Sequence, residues 1–176
     1  MSFKNLVPGL ELNPLLLGGN PAFRVIVFRD KNPLSGRVKK RYVEAPNDAM
    51  TLVHHQFTRL LQDLNVAMPY ATAFKPGDSP LKNVARHRMN RFFYLLDLVN
   101  AYHQVDVGRL TEVLCALGAP FAGAEAGVKV FLKQYCMSQF GGLAVGAPAS
   151  PDLFNLYCAM LLDRPMAGVC ARYGFT

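Results

Sequence analysis

A single carboxylate, Asp97, interrupts the apolar run that begins at Phe92 in FFYLLDLVNAYHQV. Burying an isolated carboxylate costs several kcal/mol unless a metal ion or a cation offsets it. A strand that ends in an acidic residue and turns into a helix would carry that carboxylate to the edge of a sheet. There it can hold Mg2+, with Mn2+ as the alternative ion, while its neighbours stay buried. The plainer alternative is an aspartate that caps the following turn or pairs with a lysine.

The remaining chemistry is cationic. Nineteen Lys and Arg against twelve Asp and Glu give a formal charge of +7, which favours a polyanionic partner. The cations cluster in residues 24–41 and 75–91, either as phosphate-binding surfaces or as two solvated faces. Cys115, Cys136, Cys158 and Cys170 lie far apart without metal-ligand spacing, which predicts buried reduced thiols. No apolar run reaches membrane-spanning length, and residues 1–8 lack the apolar core of a signal peptide. The expectation is a cytoplasmic protein with no membrane partner.

The elements that must position these groups follow from periodicity. Residues 22–30 (AFRVIVFRD) and 37–46 (RVKKRYVEAP) read as strands joined by the turn NPLSG, a basic β-hairpin. Asn47 or Asp48 can cap a helix whose apolar residues, from Met50 through His54 and Phe57 to Leu64, recur at helical spacing. AFKPGDSP reads as a loop and residues 92–99 as a strand. Helices are expected over 110–117, ended by Gly118, then over 128–137 and 152–170, the last after the Gly/Pro/Ala turn GGLAVGAPASP. The fold class is therefore α+β.

Four stretches together resemble reverse transcriptases of the retron and group II intron type. LDLVNAYHQV is similar to their first catalytic motif, an aspartate followed by a small residue and an aromatic. GGLAVGAPASPDLFNLY resembles the second motif, a Gly-Leu-Pro-Gln-Gly run leading into Phe-Asn-Leu. AFKPGDSPLKNVARH looks like the template loop, and KKRYVEAP matches a fingers-strand pattern Arg-x-x-x-x-Pro. Two departures stand out. Ala144 and Val145 replace the usual Pro-Gln, and the third motif, Tyr-x-Asp-Asp, does not occur in the 176 residues.

The resemblance implies an N-terminal lead-in over 1–21, fingers over 22–91 and part of a palm over 92–176. It implies template-directed nucleotidyl transfer on an RNA template and DNA primer with dNTP, by a two-Mg2+ mechanism. Two metals need carboxylates beyond Asp97, so a C-terminal segment bearing Tyr-x-Asp-Asp is an expected partner. Asp97 and the Leu98 carbonyl would hold the metal. Lys39, Lys40, Arg41, Tyr102, Val145 and Gly146 would bind the nucleotide, Tyr102 by bulk beneath the ribose. Phe74, Gly77, Ser79, Asn83, Pro148 and Ser150 would meet template or primer. Tyr102 is otherwise an ordinary core aromatic. His87 and His103 have no partner at metal or nucleophile spacing and read as structural histidines. A non-catalytic nucleic-acid-binding module derived from such an enzyme is the alternative. An unfinished palm sheet would also invite self-association.

Overall fold

The computed structural model describes residues 7–10, 19–31, 33–74, 77–93 and 95–174. Most of the lead-in lies outside them, although Val7 and Leu10 are buried in the core. The rest is an α+β arrangement in which the only sheet among the described residues is a two-stranded hairpin. β1 (Phe23–Lys31) and β2 (Val38–Pro46) pair antiparallel along their whole length, from Phe23 opposite Pro46 to Lys31 opposite Val38. Their alternating Val, Ile, Phe and Tyr suit a pleated surface, and successive side chains point to opposite faces.

Asn47 ties the open end of this hairpin to the first helix. Its side-chain oxygen accepts from Met50 N at 2.9 Å, capping α1 (Asp48–Asp63), and from Ala22 N at 3.1 Å. Its amide nitrogen donates to Asn20 O at 2.9 Å. One residue thus fixes both where α1 starts and how the hairpin leaves it.

α1 turns Met50, Val53, His54, Phe57 and Leu61 inward at the three- and four-residue spacing expected of an amphipathic helix. Phe57 meets Phe131 at 4.7 Å and Phe121 at 6.3 Å between ring centroids, both edge-on. The core is completed by α3 (Val107–Ala116), by α4 (Glu125–Phe131) with the π-helical turn Leu132–Cys136 that follows it, and by α5 (Ser150–Cys158). Asp106 caps α3 by accepting from Arg109 N at 2.8 Å, and Gly118, at φ +92°, follows its end. One hydrophobic core therefore draws side chains from both sides of Phe92. Between these elements lie α2 (Pro80–Arg86) and a 3-10 turn, Ala101–Gln104. α5 runs through a second π turn, Ala159–Asp163, into α6 (Arg164–Arg172). The wide turn lies just ahead of Pro165, whose ring cannot fit a regular helix interior.

Burial shifts the protonation of several groups in and around this core. Burial lowers His54 to about 4, so it stays neutral beside Phe23, whose ring lies 5.8 Å away. Burial also pushes the Cys136 thiol well up and the Cys158 thiol to about 11. All four cysteines are free, as the sequence suggested, but only Cys136 is buried; Cys115, Cys158 and Cys170 are half-buried.

The expected strand over 92–99 does not form. Its described residues are irregular and exposed, and none of them pairs with β1, β2 or any other segment described. Phe92 is 91% exposed and Leu95 92%. A strand exists only through a neighbour that takes up its N–H and C=O groups, and the hairpin does not supply one here. The run ends at Asn100, whose left-handed backbone (φ +52°) starts the 3-10 turn.

Candidate nucleic-acid interface

The second motif-like stretch folds into a tight turn. Met137 and Leu143 form an antiparallel bridge, Ala144 N donates to Cys136 O at 2.9 Å, and Ser138 N donates to Gly142 O at 2.8 Å. Gly141 and Gly142 sit at φ +93° and +62°, where a side chain would be strained. The buried Ser150 hydroxyl donates to Ala144 O at 2.7 Å and closes the following bend. Ser150 thus shapes the turn and offers no surface to a template strand. Pro148 is half-buried beside it, Val145 is half-buried and Gly146 is exposed.

This turn is wedged between two of the other three motif-like stretches. On one side Leu143 N donates to Tyr102 O at 2.8 Å, and a Cβ at position 142 would lie 2.2 Å from that same oxygen. On the other, Glu44 N donates to Val145 O at 2.7 Å, adding the turn to the outer edge of β2. A Cβ at position 146 would lie 2.7 Å from Val43 Cγ1. Tyr42 and Phe140 pack with centroids 5.2 Å apart. Glycine is therefore required at 142 and 146 by close approach of three separate segments. The 3-10 turn, the 137–150 turn and β2 form one frame.

Tyr102 stacks flat on Phe154 of α5, at 4.9 Å and 16°, and its phenol is pushed up chiefly by burial. Leu98 and Val99 line a cavity of about 280 Å³ beside Phe154 and Leu161. Asp97 is exposed, and among the described residues it has no ion-pair partner and joins no cluster of three metal-ligating side chains. A lone carboxylate leaves Mg2+ most of its waters and cannot hold two ions. The described residues do not by themselves fit the expected two-metal site.

The hairpin register sorts its cations. Arg41, opposite Phe28, makes a 2.7 Å ion pair with Asp30, which lies directly across from Lys39. Both partners are more than half exposed, so this pair contributes below about 1 kcal/mol; it offsets one cation of that face and leaves Arg24 and Lys39. Lys40 lies on the opposite face, directly across from Arg29, with Lys31 two residues along. Like charges directly opposed on a sheet repel. Among the described residues, the face bearing Arg29, Lys31 and Lys40 thus carries three cations without an ion pair, close together near the turn end of the hairpin, against two on the other face. Asp30, Arg29 and Lys31 lie outside the motif-like stretches. Period-two alternation along β1 was the signal that could have paired them with β2.

The template-loop residues lie at the far end of α1. Phe74 is exposed at φ +56°, an uncommon backbone for a bulky residue, and borders a cavity of about 270 Å³ with Leu61, Val66 and Leu156. Asn155 Nδ2 donates to Ala73 O at 2.9 Å, so the Asn of Phe-Asn-Leu holds this loop against α5. Ser79 caps α2 through Lys82 N at 3.2 Å, and the Lys82 ammonium donates to Gly77 O. Asn83 is exposed on α2. Arg86 of the second basic cluster is also engaged locally: it donates to Pro69 O at 3.1 Å and lies 3.9 Å from Asp78.

No protein-family profile matches the chain, and no solved structure matches it. The chain is similar to the Retron Mx65 reverse transcriptase of Myxococcus xanthus, at 30% identity over 148 residues. The match covers 77% of this chain and 34% of the relative, so the chain spans about a third of that protein's length. This similarity supports a relationship to reverse transcriptases of the retron kind. Among the described residues no helix is long and apolar enough to cross a membrane.

Proposed function

We propose that the chain supplies the phosphate-gripping part of an RNA-directed DNA polymerase. The observation that carries this reading is the joining of β2, the 3-10 turn and the 137–150 turn into one frame, beside a hairpin face whose cations oppose one another. Arg29, Lys31 and Lys40 grip the phosphates of a primer–template duplex or a dNTP, with Arg41 available once an anion competes with Asp30. Val145 and Gly146 border the nucleotide. Phe74 and the exposed face of α2 flank the template. Similarity to a retron reverse transcriptase supports RNA template, DNA primer and dNTP as the partners.

Asp97 contributes one carboxylate to a Mg2+ site, and the others come from a Tyr-x-Asp-Asp segment. Primer extension tests this directly. The 176 residues alone should extend no primer, and adding a segment with Tyr-x-Asp-Asp should restore synthesis. Asp97→Asn in that completed enzyme should abolish it while the melting temperature stays unchanged, because Asn keeps the shape and removes the charge. Extension by the 176 residues alone, or an active Asp97→Asn enzyme, would overturn the assignment. A second reading, a non-catalytic nucleic-acid-binding module, is favoured by the absence of a carboxylate cluster at Asp97 among the described residues. A completed enzyme that binds duplex and never extends it would establish that reading instead.

A further inference from the structure

Glu44 is 2% exposed, at the end of β2 nearest the frame just described. A carboxylate in such a place needs a reason. Its Oε1 accepts from Gln139 N at 3.2 Å, while its own N–H donates to Val145 O at 2.7 Å. Those two contacts hold the turn at points six residues apart, one from the side chain and one from the backbone. Its other oxygen, Oε2, is buried without a hydrogen-bond partner among the described residues. An apolar side chain would fill the same space without that cost. The backbone contact alone would also survive any substitution but proline, so the carboxylate is there for Gln139.

We infer that Glu44 is a positioning residue, a latch that sets the 137–146 turn against the basic hairpin so that both meet the nucleic acid as one surface. The inference rests on the function proposed above only for what the surface binds. Glu44 touches no phosphate. It acts through Gln139, and through Val145 and Gly146 beyond it, and it places Phe140 against Tyr42.

Amide hydrogen exchange and duplex binding, measured on the same variants, test this. Glu44→Asp keeps the charge but is one methylene too short to reach Gln139. Glu44→Ala removes the acceptor, and Glu44→Gln restores one without charge. The Gln139 amide should exchange about tenfold faster in Glu44→Asp and Glu44→Ala, with α1 amides unchanged, and stay protected in Glu44→Gln. Affinity for a primer–template duplex should fall about tenfold in the first two variants. The salt slope should stay as in wild type, because no phosphate contact is lost. Glu44→Gln should bind as wild type does. If Glu44→Ala fails to fold, the Asp and Gln variants carry the result.

A Gln139 amide as protected in Glu44→Asp as in wild type would overturn the latch. So would its release without any loss of duplex affinity, or its release in Glu44→Gln. A wild-type chain that binds no duplex even at low salt would instead overturn the proposed function, and the Gln139 amide would then decide the latch alone.

Discussion

The two stretches that resemble catalytic motifs have opposite fates in one molecule. Residues 137–150 are held from every side: by their own bridge, by Tyr102 O, by the Glu44 backbone and carboxylate, and by the Ser150 hydroxyl. Residues 92–99 are richer in large apolar side chains, yet those described are exposed and unpaired. Apolarity therefore did not decide which stretch is ordered by packing. The turn closes on itself and finds its partners on β2 and the 3-10 turn, whereas a strand must find a whole ladder. The carboxylate that raised the question lies in the stretch without a ladder.

The largest effect should come from breaking the held side. Gly142→Ala puts a methyl 2.2 Å from Tyr102 O at a left-handed backbone position, so it should destabilise the chain by about 3 kcal/mol or more in a denaturant titration. A loss below about 1 kcal/mol would mean that the turn is not wedged against the 3-10 turn.

The core beneath the turn should respond to acid. His54 titrates near 4 when folded and near 6.5 when unfolded, so the unfolded chain binds its proton first as pH falls. Stability should be full above pH 6.5, decline through the interval, and be lower by about 3 kcal/mol at pH 4. His54→Phe should flatten this decline if the ring space tolerates it, and an equal slope in that variant would assign the loss to other groups.

The smallest effect belongs to the exposed stretch. Leu96→Ser, at a residue 66% exposed, should change stability by less than about 0.5 kcal/mol. A loss of 2 kcal/mol or more, on the scale of a core truncation, would show that this leucine is buried in solution and erase the contrast with the turn.

How far the sequence foretold this follows from the same contrast. The hairpin, α1 with its Asn47 cap, α3 and the long C-terminal helix were legible because each rests on local signals: alternation, helical spacing, a capping residue and Gly118 as a stop. The strand over 92–99 was inferred from apolar composition alone, which says nothing of a partner edge. The Glu44 latch joins residues 95 positions apart and leaves no periodic trace. Nothing local in the sequence foretells that the Ser150 hydroxyl closes the turn, whereas Ser79 stands ahead of Pro80 as a helix cap would. Which hairpin cations are free is hidden for a different reason: it depends on strand register, which alternation alone does not fix.

The central claim is that the hairpin face beside the turn grips phosphates, and the salt dependence of duplex binding tests it most directly. Affinity for a primer–template duplex should be measured at several salt concentrations for wild type, for Arg29, Lys31 and Lys40 changed together to Ala, and for Lys39 and Arg41 changed together to Ala. The account predicts that the triple variant loses about one unit of slope per lost phosphate contact, roughly three in all. The double variant should lose less, since Arg41 is already paired with Asp30. Equal slopes in wild type and the triple variant would contradict the account and make the hairpin a solvated face.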